Sequence, residues 1–301
     1  MAITRSANKR DWKSGMPYEL LWYIFTMLSA FDRVINVSCV CKSWCLAAGD
    51  PRLTATLDIG EFRQSLKPNT PQRSVKRQLQ LAFERGVKLS GLNLTTLAFD
   101  PSFQVTEKHL KNAYGRCTNL KNLVLPLSNS IGKPCLARAF RAWRDLESLQ
   151  IMHHEILPPY NFLEMVHSYC ANLGVLKISC RKFVPEFFKH IASYMPRLKV
   201  LCVRCVRFDA TALGEELSRT KAIEEMYIST ITIQSTGSLV LLDDIMAKAN
   251  DARSSQGFPC IKVFHICNWI HCRNSCMAST MYDPPVHLWD LLQGIVVFGP
   301  N

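Results

Sequence analysis

The chain has 301 residues, of which 48% are hydrophobic and 20% charged, and 36 Lys and Arg against 24 Asp and Glu give a formal net charge of +12. This composition is typical of a folded globular protein with room for one large or two ordinary domains. No apolar run reaches the ~18 to 20 residues of a membrane-spanning helix, which argues against a transmembrane protein. The positive charge favours acidic partners, but the basic residues are too scattered to indicate a dedicated nucleic-acid groove.

The cysteines indicate the compartment. There are thirteen, an odd and irregularly spread number, and a secreted protein with such a set would leave one thiol unpaired. The apolar segment 20–31 follows several basic residues and has the outline of a secretory signal. The cysteine count argues against secretion, because free buried cysteines are ordinary in reducing compartments. We therefore expect a protein of the cytoplasm or nucleus that does not bind membranes.

Three short helices are predicted ahead of residue 53. The first runs from about Pro17 to Leu28, since proline suits the first turn of a helix. The second begins at Asp32, which is a good N-cap residue, and the third covers residues 41–48. Gly49 is suited to ending the third helix.

The first predicted helix has almost no polar face. Between Leu20 and Leu28 only Thr26 is plainly polar, whereas a surface helix of a globular domain keeps a polar stripe. About 35 residues in three short helices are also too few to build a sufficient core. We therefore predict that another surface covers the excess apolar side chains.

A short pattern, L-x-x-L-x-L with conservative swaps, recurs along most of the remaining chain. The copies are LSGLNL at 89–94, LKNLVL at 120–125, LESLQI at 146–151, LGVLKI at 173–178, LKVLCV at 198–203, IEEMYI at 223–228 and IKVFHI at 261–266. The segment LTATLDI at 53–59 reads as a degenerate opening copy. Most copies begin within the interval of about 20 to 29 residues that is typical of leucine-rich repeats.

Each copy alternates like a short strand, and most follow a segment with helical spacing. In the segment 185–198, for example, Phe187, Ile191 and Tyr194 lie at i, i+4 and i+7. Such units bury their apolar faces only by stacking, so we predict an α/β solenoid with a parallel concave sheet and convex helices. The long interval after residue 223 predicts an extended repeat with a helix over 238–249 and a loop over 250–257, and the insertion at 231–260 is a candidate functional site.

One residue in each copy, between the last two apolar positions, is predicted to face the concave side of the sheet. These residues are Asn93, Val124, Gln150, Lys177, Cys202, Tyr227 and His265. The row is neither uniformly charged nor catalytic in composition. A mixed polar and aromatic row at fixed spacing favours a protein-binding surface, and plain solvent exposure is the alternative.

No motif indicates catalysis or a metal. The segment 265–276 groups several histidines and cysteines, but it lacks the paired C-x-x-C spacing of structural zinc sites. The chain has no G-x-S-x-G, Walker or G-x-G-x-x-G motif. We expect a non-catalytic protein without a metal or cofactor.

The N-terminal helices resemble the F-box. The match consists of MP-x-E-L-L-x-x-I-F-x-x-L at 16–28 and V-C-K-S-W at 40–44. With the repeats, the chain is similar to plant-type F-box/LRR-repeat proteins. The resemblance implies an F-box at 16–58, a linker and helix at 59–88, about seven leucine-rich repeats at 89–268 and a C-terminal cap or tail at 269–301.

In that family the F-box binds Skp1, which connects it to a cullin and a RING protein, while the repeats capture a protein substrate for ubiquitination. The resemblance therefore implies a substrate-recruiting subunit of an SCF-type E3 ubiquitin ligase. The residues that it implies for Skp1 binding, either by meeting Skp1 or by supporting the helices that do, are Pro17, Leu20, Leu21, Ile24, Phe25, Leu28, Val40 and Trp44.

An alternative function also follows from the residues. The charge of +12, together with Lys177, Arg204 and Arg207 near the predicted concave face, leaves open a basic repeat protein that binds nucleic acid directly. Binding to nucleic acid would weaken steeply as the salt concentration rises. The reason is that the protein displaces cations condensed on the nucleic acid, and high salt opposes their release.

Overall fold

Four short helices precede a regular alternation of strands and helices. The computed structural model describes residues 16–268 apart from 128–130, 153–159, 185, 210–212 and 235–240. The N-terminal helices are α1 (Tyr18–Thr26), α2 (Ala30–Ile35), α3 (Lys42–Ala48) and α4 (Pro51–Thr54), and a 3-10 turn (Val37–Cys39) lies between α2 and α3.

The second helix begins earlier than predicted. Ser29, rather than Asp32, is its N-cap, because the Ser29 hydroxyl accepts a hydrogen bond from the Asp32 amide at 3.0 Å. Asp32 instead occupies the first turn of α2, where its carboxylate accepts a hydrogen bond from the same hydroxyl at 2.8 Å. Both residue types suit the start of a helix, and the upstream serine takes the cap while the aspartate complements the helix dipole.

The following segments build the solenoid. Its strands are β1 (Thr56–Asp58), β2 (Thr96–Ala98), β3 (Asn122–Pro126), β4 (Ser148–Met152), β5 (Val175–Phe183), β6 (Val200–Asp209), β7 (Glu225–Gln234) and β8 (Val263–Asn268). Its helices are α5 (Ile59–Gln64), α6 (Gln72–Ser90), α7 (Glu107–Tyr114), α8 (Lys133–Ala142), α9 (Tyr160–Tyr169), α10 (Glu186–Tyr194), α11 (Leu213–Arg219) and α12 (Leu241–Ser255).

The eight strands form one sheet in sequential order, and every neighbouring pair is parallel. The degenerate copy at 53–59 supplies β1, which pairs with β2 although it lies within the range predicted for the F-box. The main hydrophobic core extends along the solenoid to Ile261 and includes Val34 of α2. The fold is therefore the predicted α/β solenoid, preceded by helices.

The register identifies which leucines form the core. Leu97, Leu123, Leu149, Leu176 and Leu201 occupy equivalent positions in successive strands, and all are at most 1% exposed. Because each strand contributes one such side chain, the repeats bury one another's apolar surface.

The first predicted repeat has the wrong register. Asn93 lies in a 3-10 turn (Gly91–Asn93) and not in a strand. Helix α6 extends through Ser90, and Gly91 follows in a left-handed conformation with φ of 52°. That conformation favours glycine and stops the helix. The strand forms later, so Ala98 takes the position that was predicted for Asn93.

The extended repeat also differs from its prediction. Helix α12 continues through Ser255, so most of the segment predicted as a loop at 250–257 is helical. The Arg253 side chain is fully buried and donates hydrogen bonds to the carbonyls of Leu217 (3.1 Å), Ile223 (2.7 Å) and Pro259 (2.7 Å). These tertiary contacts hold the last turn of the helix. In its described part, the insertion is thus chiefly a long strand and a repeat helix.

Candidate protein-binding surface

Helix α1 buries one face within the N-terminal helices. Leu21 is 1% exposed and Phe25 is fully buried, in a small core that also includes Val37, Ala47 and Ala48. The ring of Phe25 meets the edge of Trp44 with centroids 5.5 Å apart. This core is separate from that of the solenoid.

The other face of α1 is apolar and exposed. We define the N-terminal apolar surface as Leu20 (54% exposed), Tyr23 (57%), Ile24 (41%), Met27 (66%), Val40 (59%) and Leu46 (74%). Leu20, Tyr23 and Ile24 of α1 and Met27, its C-cap residue, follow i, i+3, i+4 and i+7 spacing, so they lie along one side of the helix. The solenoid does not cover these side chains. Concentrated exposed apolar residues of this kind mark interaction sites.

The residues implied for Skp1 binding fall into three groups by exposure. Pro17, Leu20, Ile24 and Val40 are exposed, and Leu28 and Trp44 are half-buried. Leu21 and Phe25 lie in the interior of the N-terminal helices, so they belong with the residues that support α1 rather than with those that could contact a partner. They position the exposed face of α1 instead.

Sequence reasoning missed three exposed apolar residues. Tyr23 and Met27 follow Leu20 by three and seven positions, and that helical spacing could have identified them. Leu46 lies on α3 and is the most exposed of the set at 74%. No sequence signal distinguishes Leu46 from the buried Ala47 beside it, because both are apolar residues of one short helix.

A polar cluster joins α1 to α4. The Tyr18 hydroxyl donates to Asp50 at 2.6 Å, and the Arg52 guanidinium donates to both carboxylate oxygens of Asp50 at 2.9 Å. The guanidinium also lies 4.1 Å from the centre of the Trp22 ring, a favourable cation–π arrangement. Hydrogen bonds from Arg52 hold the pKa of Asp50 well below its usual range. The cluster thereby fixes the start of α1 against α4.

Further contacts hold the N-terminal helices together and attach them to the solenoid. Arg33 donates to the carbonyls of Phe25 (3.2 Å) and Leu28 (2.5 Å), which satisfies the end of α1. Arg85 of α6 donates to the Ile35 carbonyl at 2.9 Å. Leu89 packs against both cores. The N-terminal apolar surface is therefore carried on a fixed support.

The predicted concave row forms, with Ala98 in place of Asn93. The sheet register aligns Val124, Gln150, Lys177, Cys202, Tyr227 and His265 across six adjacent strands. The side chain of His265 lies outside the described part of the structure, as do residues 269–276 of the histidine- and cysteine-containing segment 265–276.

Much of the row is covered by its neighbours. Val124, Gln150 and Cys202 are between 5% and 7% exposed, whereas Lys177 and Tyr227 are half-buried. Burial raises the pKa of Tyr227 to about 12, and its hydroxyl donates to Glu225 at 3.1 Å. Burial also raises the pKa of the Cys202 thiol to about 12, so it stays protonated at neutral pH. Among the described side chains of the row, Lys177 and Tyr227 are therefore the partly accessible ones.

Other features of the described residues bear on the site. None of the helices in that part of the chain is long and apolar enough to span a membrane. Within the same residues, no group of three or more His, Cys, Asp or Glu side chains is placed to hold a metal ion.

Comparisons with known proteins match both parts of the architecture. The F-box-like family matches residues 14–59, which include the N-terminal apolar surface. F-box/LRR-repeat protein At3g48880 of Arabidopsis thaliana is 32% identical over 230 residues, covering 74% of this chain and 73% of the relative. From the same organism, Putative F-box protein At4g11580 is 26% identical (69% and 73% covered) and Putative F-box/LRR-repeat protein 9 is 27% identical (65% and 78% covered). With this extent and identity of alignment, the chain belongs to the F-box/LRR-repeat protein family.

Proposed function

We propose that the chain is a substrate-recruiting subunit of an SCF-type E3 ubiquitin ligase. The N-terminal apolar surface binds a Skp1-like protein, which connects the chain to a cullin and a RING protein, and the repeats hold a protein substrate. The observation that carries the proposal is the exposed apolar face of α1, within residues that match the F-box-like family. The chain itself contributes binding and no catalytic step.

The exposed apolar area is large enough for binding only if most of its contacts form together. Six side chains are between 41% and 74% exposed. Full burial of a large apolar side chain contributes ~1.5 to 3 kcal/mol, so covering the remaining area yields gross stabilisation on the order of 5 to 10 kcal/mol. Association costs an estimated ~4 to 15 kcal/mol. Most of these contacts must therefore form together, and one buried charge should be enough to prevent binding.

Pull-down of the full chain by a Skp1-like protein tests the proposal. We expect Leu20→Asp and Ile24→Asp each to abolish capture, because a carboxylate would be buried without a partner. Leu92→Asp is the matched control, since Leu92 is 60% exposed outside the N-terminal helices. Circular dichroism should be unchanged in all three variants. Capture of both α1 variants at the level of the unmodified chain would overturn the proposal.

Salt separates this function from direct nucleic-acid binding. The specific observation that favours nucleic acid is the group of cations on β5 and β6, including Lys177, Arg204 and Arg207. An apolar interface with a Skp1-like protein should survive moderate salt, because screening weakens mainly exposed charges. Binding to a duplex DNA or RNA probe with a steep salt dependence, and no Skp1 capture, would support the second function instead.

We also propose a location in the cytoplasm or nucleus. The odd number of thirteen cysteines supports it, because reducing compartments keep thiols free. Fractionation of cells that express the tagged full chain tests the location, and recovery from the secreted fraction would contradict it.

A further inference from the structure

We infer that an acidic segment of the protein substrate docks on a cationic surface where β5 and β6 extend beyond the earlier strands. We define the β5–β6 cationic surface as Arg181, Lys182 and Arg207, which are all exposed, together with the exposed side chain of Val206. The inference rests on the proposed substrate-receptor function, and it specifies the chemistry of the segment that the repeats recognise.

The two strands are unusually rich in positive charge. Strand β5, VLKISCRKF, contains three basic residues and no acidic one. Strand β6, VLCVRCVRFD, contains two basic residues and a single acidic residue at its end. The preceding strand β4, SLQIM, has no charge at all. The chain therefore concentrates cations on two adjacent strands in the middle of the sheet.

The register places these cations beside one another. Lys182 is paired with Arg207, and Ser179 is paired with Arg204. Neighbouring strands lie about 4.8 Å apart, and like charges directly opposite each other destabilise a sheet. A pair of cations at this spacing is costly in the free protein, and an anionic ligand would relieve that cost.

The alternation of buried and exposed residues is interrupted where the cations lie. In β5, Arg181 and Lys182 are both exposed, between the buried residues Cys180 and Phe183. In β6, the buried Cys205 is likewise followed by two exposed residues, Val206 and Arg207. A regular strand would place one residue of each pair inside. The interruption presents consecutive side chains of both strands to solvent.

Several exposed cations elsewhere in the chain have carboxylate partners that the cations of this surface lack. Lys121 pairs with Glu147 at 2.8 Å, and Lys108 with Glu84 at 3.6 Å. Within the part of the chain that the structure describes, Arg181, Lys182 and Arg207 make no ion pair or side-chain hydrogen bond. Their donors are therefore available for carboxylates from another molecule, and arginine binds carboxylates with two parallel hydrogen bonds.

The dimensions of the surface favour a peptide over a nucleic acid. Only two strands contribute, whereas nucleic-acid binding typically uses six or more phosphate contacts along a continuous basic stripe. The next strand, β7, contributes Glu225, and its aromatic residue Tyr227 is half-buried with its hydroxyl bonded to that glutamate. Because this ring is half-buried and tied to its neighbour, β7 offers only a restricted surface on which bases could stack. Val206, 39% exposed among the cations, suits an apolar side chain of a peptide.

Fluorescence anisotropy with the full chain tests the inference. The probe is a fluorescein-labelled peptide of repeated Glu-Gly-Asp units, and the same peptide with Gln and Asn in place of Glu and Asp is the neutral comparison. We expect saturable binding of the acidic peptide only. The charge-reversed variant Arg181→Glu, Lys182→Glu, Arg207→Glu should weaken it by about tenfold or more, because each contact becomes repulsive.

A matched variant distinguishes peptide binding by this surface from a general effect of the chain's net charge. Arg73→Glu, Lys76→Glu, Arg77→Glu makes the same change in net charge on exposed residues of α6, and we expect it to alter peptide affinity less than about twofold at physiological salt. An equal loss in both variants would overturn the inference. So would the absence of saturable binding, or binding of a duplex or single-stranded DNA probe more tightly than the peptide.

Capture by a Skp1-like protein, measured on the same samples, keeps the two proposals distinct. The β5–β6 variant should be captured like the unmodified chain, which shows that it is folded. If the unmodified chain binds the Skp1-like protein but not the acidic peptide, the inference fails while the proposed function stands. If it binds the peptide and no Skp1-like protein, the proposed ligase function fails.

Discussion

The N-terminal helices and the solenoid use apolar residues in opposite ways. In the solenoid each repeat covers the apolar face of the next, and large side chains such as Trp143 and Phe140 are at most 1% exposed. In the N-terminal helices Leu21 and Phe25 fill a small core, while the six large apolar side chains of the N-terminal apolar surface stay in solvent. Stacking covers the apolar surface of each repeat with the neighbouring repeats, whereas four short helices have more apolar surface than they can enclose. This excess apolar surface is the reason for proposing that the N-terminal helices bind another protein.

The largest effect should come from breaking the solenoid core. Trp143 is 1% exposed, and its indole Nε1 donates to the Cys117 carbonyl at 2.7 Å. Trp143→Ala should lower the free energy of unfolding by ~3 to 5 kcal/mol, because it leaves a large cavity and an unpaired carbonyl. Chemical denaturation of the full chain measures this loss. A change below about 1 kcal/mol would show that the repeats are less tightly coupled than their packing indicates.

A smaller loss should follow from removing the buried arginine of the extended repeat. Arg253→Ala leaves the carbonyls of Leu217, Ile223 and Pro259 without this donor, and we expect a loss of ~2 to 4 kcal/mol. Arg253→Lys should recover part of it, since one ammonium can reach only some of these carbonyls. Thermal denaturation compares the three proteins, and equal stability of all three would contradict a structural role.

The polar cluster of the N-terminal helices should have a smaller, pH-dependent effect. Asp50→Asn keeps a helix-capping residue but removes the charge that binds Arg52. We expect the free energy of unfolding to fall by about 1 kcal/mol at neutral pH. The loss is small because Arg52 is 62% exposed and solvent screens the ion pair. The folded pKa of Asp50 is lowered. Its contribution is thus present above the unfolded pKa of ~3.9 and is lost as the pH falls through the folded value.

The melting temperature as a function of pH tests this sign. The unmodified chain should be more stable than the Asp50→Asn variant at neutral pH, and the difference should shrink under strongly acidic conditions. A difference that grows on acidification would contradict the assignment of the lowered pKa to the Arg52 contact.

The smallest effect on stability should come from the exposed face of α1. Met27 is 66% exposed, so Met27→Ala should change the free energy of unfolding by less than about 0.5 kcal/mol. Under the proposed function, the same variant should weaken capture by a Skp1-like protein several-fold, because that side chain would be buried in the complex. Measuring both quantities sharpens the contrast with Trp143: a stability loss in Met27→Ala would place its side chain inside the protein.

Local sequence patterns predicted the presence of helices and strands better than the residues at which they begin and end. The L-x-x-L-x-L copies identified the strands from β3 onward because each repeat has a large apolar residue at the equivalent strand position, leucine in β3 to β6 and Met226 in β7. The first copy failed, since Leu89 belongs to α6 and Gly91 ends that helix before the strand can begin. The loop predicted at 250–257 failed because Arg253 holds the helix through partners about thirty residues away in sequence. Neither feature has a signature in the neighbouring residues.

By itself, the sequence determined the repeat architecture, the apolar excess of the first helix and the alignment of most of the concave row. These depend on periodicity, which the order of residues contains directly. The tertiary structure decided which apolar residues of α1 face solvent, which concave residues are covered, and that the cations of β5 and β6 are neighbours. Burial and lateral pairing depend on what packs beside a residue, and those neighbours come from distant parts of the chain.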